Sequence, residues 1–139
     1  FGAPANWSGR RGTLDGILGR LEKGQEVRAF TDRIVSPGYV VDIAAATRHL
    51  ATTGAATGLY HCVNAGQATW YDVAREVAAI VGNAQPNLVP VTMDTMKLKA
   101  PRPRYCALSV AKLARAGFTM PSWPKCPVPR VLRSPWPAA

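Results

Sequence analysis

Leu14, Ile17, Leu18 and Leu21 recur at i, i+3, i+4 and i+7, the spacing of one helix face. The pattern predicts a first helix from Thr13, its N-cap, to about Lys23, with Gly24 as its stop. Glu26 to Thr31 alternates instead, with Val27, Ala29 and Thr31 on one side and Arg28 and Phe30 on the other. That is the pattern of a short strand. Asp32 to Val41 reads as extended loop, because Pro37 keeps Ser36 out of helical geometry. Asp42 is expected to cap a second helix whose apolar face is Ile43, Ala46, Thr47 and Leu50. Leu59 to Val63 reads as a buried strand, and Asn64-Ala-Gly66 as the turn leaving it.

Thr69 is placed as the cap of a third helix, with Asp72 completing a capping box. Its core stripe is Trp70, Val73, Ala74, Val77, Ile80 and Val81, and Gly82 stops it. Leu88 to Thr92 is predicted as an edge strand, since Pro90 has no N–H to give a ladder. Ser109 caps a short helix to Arg115, ended by Gly117. Met120 to Trp123 resembles the lead-in to a last helix, which prolines at 124, 127, 129, 135 and 137 then forbid. Strands alternating with helices argue an α/β fold with parallel strands. The division expected is a main unit at 1–123 and an irregular, proline-rich basic tail at 124–139.

At 139 residues the chain has about the length of one domain, and 47% hydrophobic and 18% charged residues exclude a disordered composition. No apolar run reaches the roughly 18 residues of a membrane span, and residues 1–6 lack a signal-peptide pattern. The first residue is Phe, so the expectation is a chain that begins inside a longer product. The net charge of +9 is uneven: every acid lies at or before Asp94, and residues 97–139 are basic only. Such a tail attracts phosphates or forms a solvated basic surface. Cys62, Cys106 and Cys126 are odd in number and lack metal spacing, which reads as reduced thiols in a cytoplasmic protein.

A complete active site is not visible. Gly9, Gly12, Gly16 and Gly19 miss the offsets of a dinucleotide loop, and no Gly-Lys-Ser/Thr is present. No Tyr is followed by Lys four residues later, so no Tyr-x-x-x-Lys proton-transfer pair exists. His49 and His61 have no partner at metal spacing and read as structural. Binding chemistry is visible. Arg102 and Arg104 sit in a proline-stiffened loop, where a planar fork can hold phosphate oxygens or simply face solvent. Arg33 and Ser36 lie in a constrained loop after a strand. Asp42 reads as a helix cap, and Trp70 and Tyr71 as core.

With those residues placed, the chain resembles the C-terminal half of the dTDP-4-dehydrorhamnose reductase family, the RmlD-like extended short-chain dehydrogenases. Asp32-Arg33, Ser36-Pro37 and Tyr39-Val-x-Asp42-Ile-Ala44 resemble one family motif. Gly58-x-Tyr60-His61, Asn64-x-Gly66 and Trp70-Tyr71 resemble a second. Arg102-Pro103-x-Tyr105, Leu108 and Lys112-Leu113 resemble a third, and Pro121-x-Trp123 the closing one. The departures are Gly12-Thr13 for Asn-Phe, Gly38 for Thr and Cys106 for Ser.

The resemblance implies part of a Rossmann-type parallel sheet plus a small substrate-binding α/β subdomain. It implies Arg33, Ser36 and Arg102 as contacts to a dTDP-sugar, and Asp42, Asn64, Trp70 and Tyr105 as motif residues that hold the structure. It further implies NADPH or NADH bound by a missing N-terminal Rossmann half, which would also carry the catalytic Tyr and Lys. This chain supplies no metal ligands and would be inactive alone. A homodimer stays open as a partner. The alternative is a non-catalytic scaffold or regulator acting by protein contact. Nucleic-acid binding by the basic tail is the weakest reading, because no reading motif accompanies it.

Overall fold

The computed structural model describes residues 12–96 and 100–125. The expectations for residues 1–11, for Cys126 and for the tail from 126 onward lie outside them. Helix α1 spans Thr13–Glu22 and buries Leu14, Ile17 and Leu21. Its N-cap is Gly12 rather than Thr13, and the Asp15 carboxylate accepts the Gly12 N–H at 2.8 Å. The chain leaves through Gly24 at φ 63°, a left-handed turn that suits glycine.

Strand β1, Val27–Phe30, pairs in parallel with β4, Leu88–Val91, and Val27 faces Leu88. Pro90 sits opposite Ala29 in this two-stranded sheet, where each strand keeps an outer edge among the described residues. Helix α3, Trp70–Ile80, covers it with Val73, Ala74, Val77 and Ala78 buried. Val81 caps the helix and is exposed, outside the stripe assigned to it. The first core joins α1, β1, α3 and Ala68, with Trp70, Leu88 and Trp123 packed against it.

A second, three-stranded sheet was not legible as strands. It orders β3 (Ala68–Thr69), β2 (Ile34–Val35) and β5 (Tyr105–Cys106), with β2 antiparallel to β3 and parallel to β5. Helix α2, Val40–Thr52, and helix α4, Ala111–Arg115, flank a second core of Ala46, Leu113 and Met120. Leu50, Tyr60, Cys62 and Phe118 pack on it. Two expectations are corrected here. Thr47 is exposed and donates its hydroxyl to the Ile43 carbonyl, so it is no part of the apolar face. Helix α4 begins at Ala111 with Val110 as N-cap, although Ser109 Oγ still accepts the Ala111 N–H at 3.3 Å.

Leu59–Val63 is not a strand: it forms no ladder among the described residues, and Leu59 is 77% exposed. A segment becomes a strand only when a neighbour takes its backbone groups. Here α4 does some of that work from the side. Lys112 Nζ donates to the Leu59 carbonyl at 2.9 Å and lies 4.3 Å from the centre of the Tyr60 ring. The end of the described chain is a single 3-10 turn, Trp123–Lys125.

The Thr69–Asp72 capping box forms as expected. Thr69 Oγ1 accepts the Asp72 N–H at 3.0 Å, and Asp72 Oδ2 accepts the Thr69 N–H at 3.0 Å and its hydroxyl at 2.6 Å. The Thr69 hydroxyl holds the Asp72 carboxyl below its ordinary value of 3.8; partial burial opposes this, and the Thr69 N–H and Arg75 add to it. A depressed carboxylate stabilises the fold fully above its unfolded value and loses that contribution as pH falls through the folded value. Asp72→Asn should therefore lower the thermal midpoint at pH 6 and converge on the parent as pH falls through and below the ordinary carboxylate range. A midpoint difference that stays constant from pH 6 to pH 2 would remove the carboxylate from the explanation.

Candidate functional site

Two short strands set the site. Because β2 and β5 run in parallel with Ile34 facing Tyr105, Arg33 stands level with Arg104 and a few residues from Arg102. The Ile34 N–H donates to the Arg104 carbonyl at 2.7 Å. Ser36 continues the same pairing: its hydroxyl donates to the Gly66 carbonyl at 3.4 Å and accepts the Leu108 N–H at 2.9 Å. Arg33, Ser36 and Arg102 thus come from one pair of neighbouring strands and their lead-ins. Ser36 is already engaged as a staple between the β5–α4 segment and the turn at Gly66.

A hollow of about 590 Å³ opens beside this pair, lined by Gly66, Gln67, Tyr105 and the run Ala107–Ala111. Arg33, Ser36 and Arg102 do not line it, but Ser36 holds two residues that do, Gly66 and Leu108. Tyr105, 62% exposed, donates its hydroxyl to Gln67 Oε1 at 2.9 Å across one wall.

The three arginines differ in their partners. Arg104 forms ion pairs with Asp32 and, at 2.5 Å, with Asp94. Asp94, with Asp32 behind it, raises the Arg104 guanidinium above its ordinary value. Asp32 is fixed in turn, since both its oxygens accept the Met93 N–H, at 3.0 and 3.1 Å. Local spacing gave no hint of this clasp, which joins residues 72 and 10 positions apart. Arg33 and Arg102 pair with no carboxylate among the described residues, and Arg33 Nε is buried without an acceptor there. Trp70 Nε1 is likewise buried without a partner among them, although the ring packs against the first core as expected.

Asn64 is the hub that holds the loops in place. Fully buried, it accepts the Tyr39 N–H at 2.7 Å and donates to Asp42 at 2.6 Å and to the Pro121 carbonyl at 3.2 Å. Asp42 does not cap α2. The N-cap is Tyr39, and Asp42 sits in the first turn with a carboxylate oxygen on Asn64. Two further bonds, Ala65 N–H to Pro121 and Trp123 N–H to Ala65, tie the Asn64 turn to the closing segment. A Cβ at Gly38 would lie 2.9 Å from Ile43 Cδ1, a terminal methyl that would have to turn aside to admit it.

No group of three or more His, Cys, Asp or Glu that could hold a metal occurs among the described residues. No described helix is long and apolar enough to cross a membrane. The sequence has neither a glycine-rich strand-to-helix loop at dinucleotide offsets nor a Tyr-x-x-x-Lys pair.

A parallel ladder covered by helices, with a small second sheet presenting arginine loops, defines part of an α/β protein of the extended short-chain dehydrogenase type. The chain belongs to the RmlD substrate binding domain family, whose sequence model matches residues 8–133. It is 32% identical over 110 residues to the spore coat polysaccharide biosynthesis protein SpsK of Bacillus subtilis, covering 79% of this chain and 38% of that protein. It is 35% identical over 101 residues to a dTDP-4-dehydrorhamnose reductase of Mycolicibacterium smegmatis, covering 72% of this chain and 31% of that one. Among solved structures, the dTDP-4-dehydrorhamnose reductase of Bacillus anthracis, in complex with NADP, superposes with a TM-score of 0.74 at 27% identity. That match covers 84% of this chain and 41% of the other. The chain therefore spans between about a third and two fifths of these relatives.

Proposed function

We propose that this chain is the sugar-nucleotide-gripping portion of a dTDP-4-dehydrorhamnose reductase-like oxidoreductase, with Arg33 and Arg102 holding the diphosphate. The observation that carries this reading is the pair of arginines without carboxylates beside a third that has two. A buried guanidinium N–H with no acceptor invites an anionic oxygen, and planar forks suit phosphate. Ser36 serves by fixing the loop between them, and the nearby hollow gives the rest of the ligand room. The nicotinamide, and with it the hydride, belongs to the cofactor-holding remainder of the reductase. That remainder docks on the open side of Leu59–Val63 and on exposed Val40 and Val41 at the start of α2.

Calorimetric titration of dTDP into the chain tests the grip. Binding should be measurable at low ionic strength, and Arg102→Gln should weaken it at least about tenfold, the scale of one charge-assisted contact (roughly 1.4 kcal/mol). A chain that is folded by circular dichroism yet takes up no dTDP would overturn the assignment. The exposed apolar residues also favour a second reading, a non-catalytic partner protein that docks through the same face; it predicts protein contact without dTDP uptake.

A further inference from the structure

The Asp32–Arg104–Asp94 clasp has two unequal halves. Asp32 is the sheltered half, at 22% side-chain exposure, with both oxygens on the Met93 N–H. Asp94 is the loose half: 79% exposed, on a three-residue 3-10 turn, and paired with Arg104 Nη2. We infer that Asp94 is a built-in stand-in for a ligand phosphate, occupying one arm of Arg104 until an incoming anion displaces it. Arg104 would then be a third anion-binding side chain beside Arg33 and Arg102. The inference rests on the diphosphate reading above and deepens it.

Three observations lead there. Arg104 and Arg33 lead into the paired strands β5 and β2, each one residue before the Tyr105–Ile34 pair, so the two arginines start from neighbouring backbone positions. Asp32 alone keeps Arg104 oriented after Asp94 leaves, because it is held by the Met93 N–H. An exposed ion pair is weak and screened by salt, so a diphosphate, with two negative charges, can replace a single carboxylate at little cost. Asp94 also places a negative charge beside the anion's seat, and its departure on ligand entry lifts that repulsion.

The test is calorimetric titration of inorganic pyrophosphate and of dTDP into the parent chain, Asp94→Asn and Arg104→Gln, at low salt. Asp94→Asn removes the competitor and should bind about three- to fivefold more tightly, a gain within the range of an exposed pair. Arg104→Gln should bind several-fold more weakly than Asp94→Asn. Thermal midpoints of both variants are read alongside, so that a folding loss is not taken for a binding loss. Binding by the parent that Asp94→Asn leaves unchanged or weakens overturns the inference alone. Absence of binding by parent and Asp94→Asn together overturns the diphosphate reading, and this inference with it.

Discussion

Asn64→Ala should cost about 3 kcal/mol of stability and lower the thermal midpoint by roughly 10 °C. The residue is fully buried and serves three partners on two segments, the start of α2 and the closing stretch: the Tyr39 N–H, the Asp42 carboxylate and the Pro121 carbonyl. Truncation leaves those groups with no replacement from the removed side chain, and an unpaired buried polar group costs more than a hydrogen bond gains. Asn64→Asp keeps the shape and the acceptor for Tyr39. It also sets a second carboxylate beside Asp42, so it should do no better than Ala near neutral pH. Urea denaturation of the three proteins would check this, and an Ala loss below 1 kcal/mol would show that the hub is dispensable.

Leu113→Ala should lose a similar amount, about 3 kcal/mol, through the transfer term and the cavity left in the second core. Leu113 is wholly buried against Ala46 and Met120. Its helix has five residues, too few to stand on propensity alone, so tertiary packing holds it in place. The neighbouring Lys112 reaches Leu59 and Tyr60 from that helix. Loss of Leu113 should therefore also loosen the Leu59–Val63 segment, visible as faster amide exchange there than in α3. Exchange that rises equally in α3 would point to global unfolding instead.

The helices were legible because each carries its own period: the Leu14, Ile17, Leu21 face and the Val73, Ala74, Val77 stripe became buried as spacing alone required. The capping box at Thr69 was legible for the same reason, since all its atoms lie within three residues. The second sheet was not, because two-residue strands such as Ile34–Val35 are too short for any alternation to register. Leu59–Val63 erred the other way: its apolar run is strand-like, but a ladder needs a neighbour that these residues cannot specify. The site split along the same line. Arg33 and Arg102 stood out by loop chemistry, whereas the Arg104 clasp depends on carboxylates that only the folded topology brings near. Asn64 looked like a turn residue; its signal as a hub was its place between an apolar run and Gly66, too weak to separate the two.

Both sheets are closed by residues far apart in the chain. Asp32 meets Met93 across 61 positions, and Ser36 meets Leu108 across 72. Loop-closure entropy must be met before either contact can return energy, so a topology of this kind folds late and slowly compared with its helices. On the ribosome, α1, α2 and α3 are complete before β5, the parallel partner of β2, has emerged. The arginine loops consequently take shape last, only once the polypeptide has been made past Leu108.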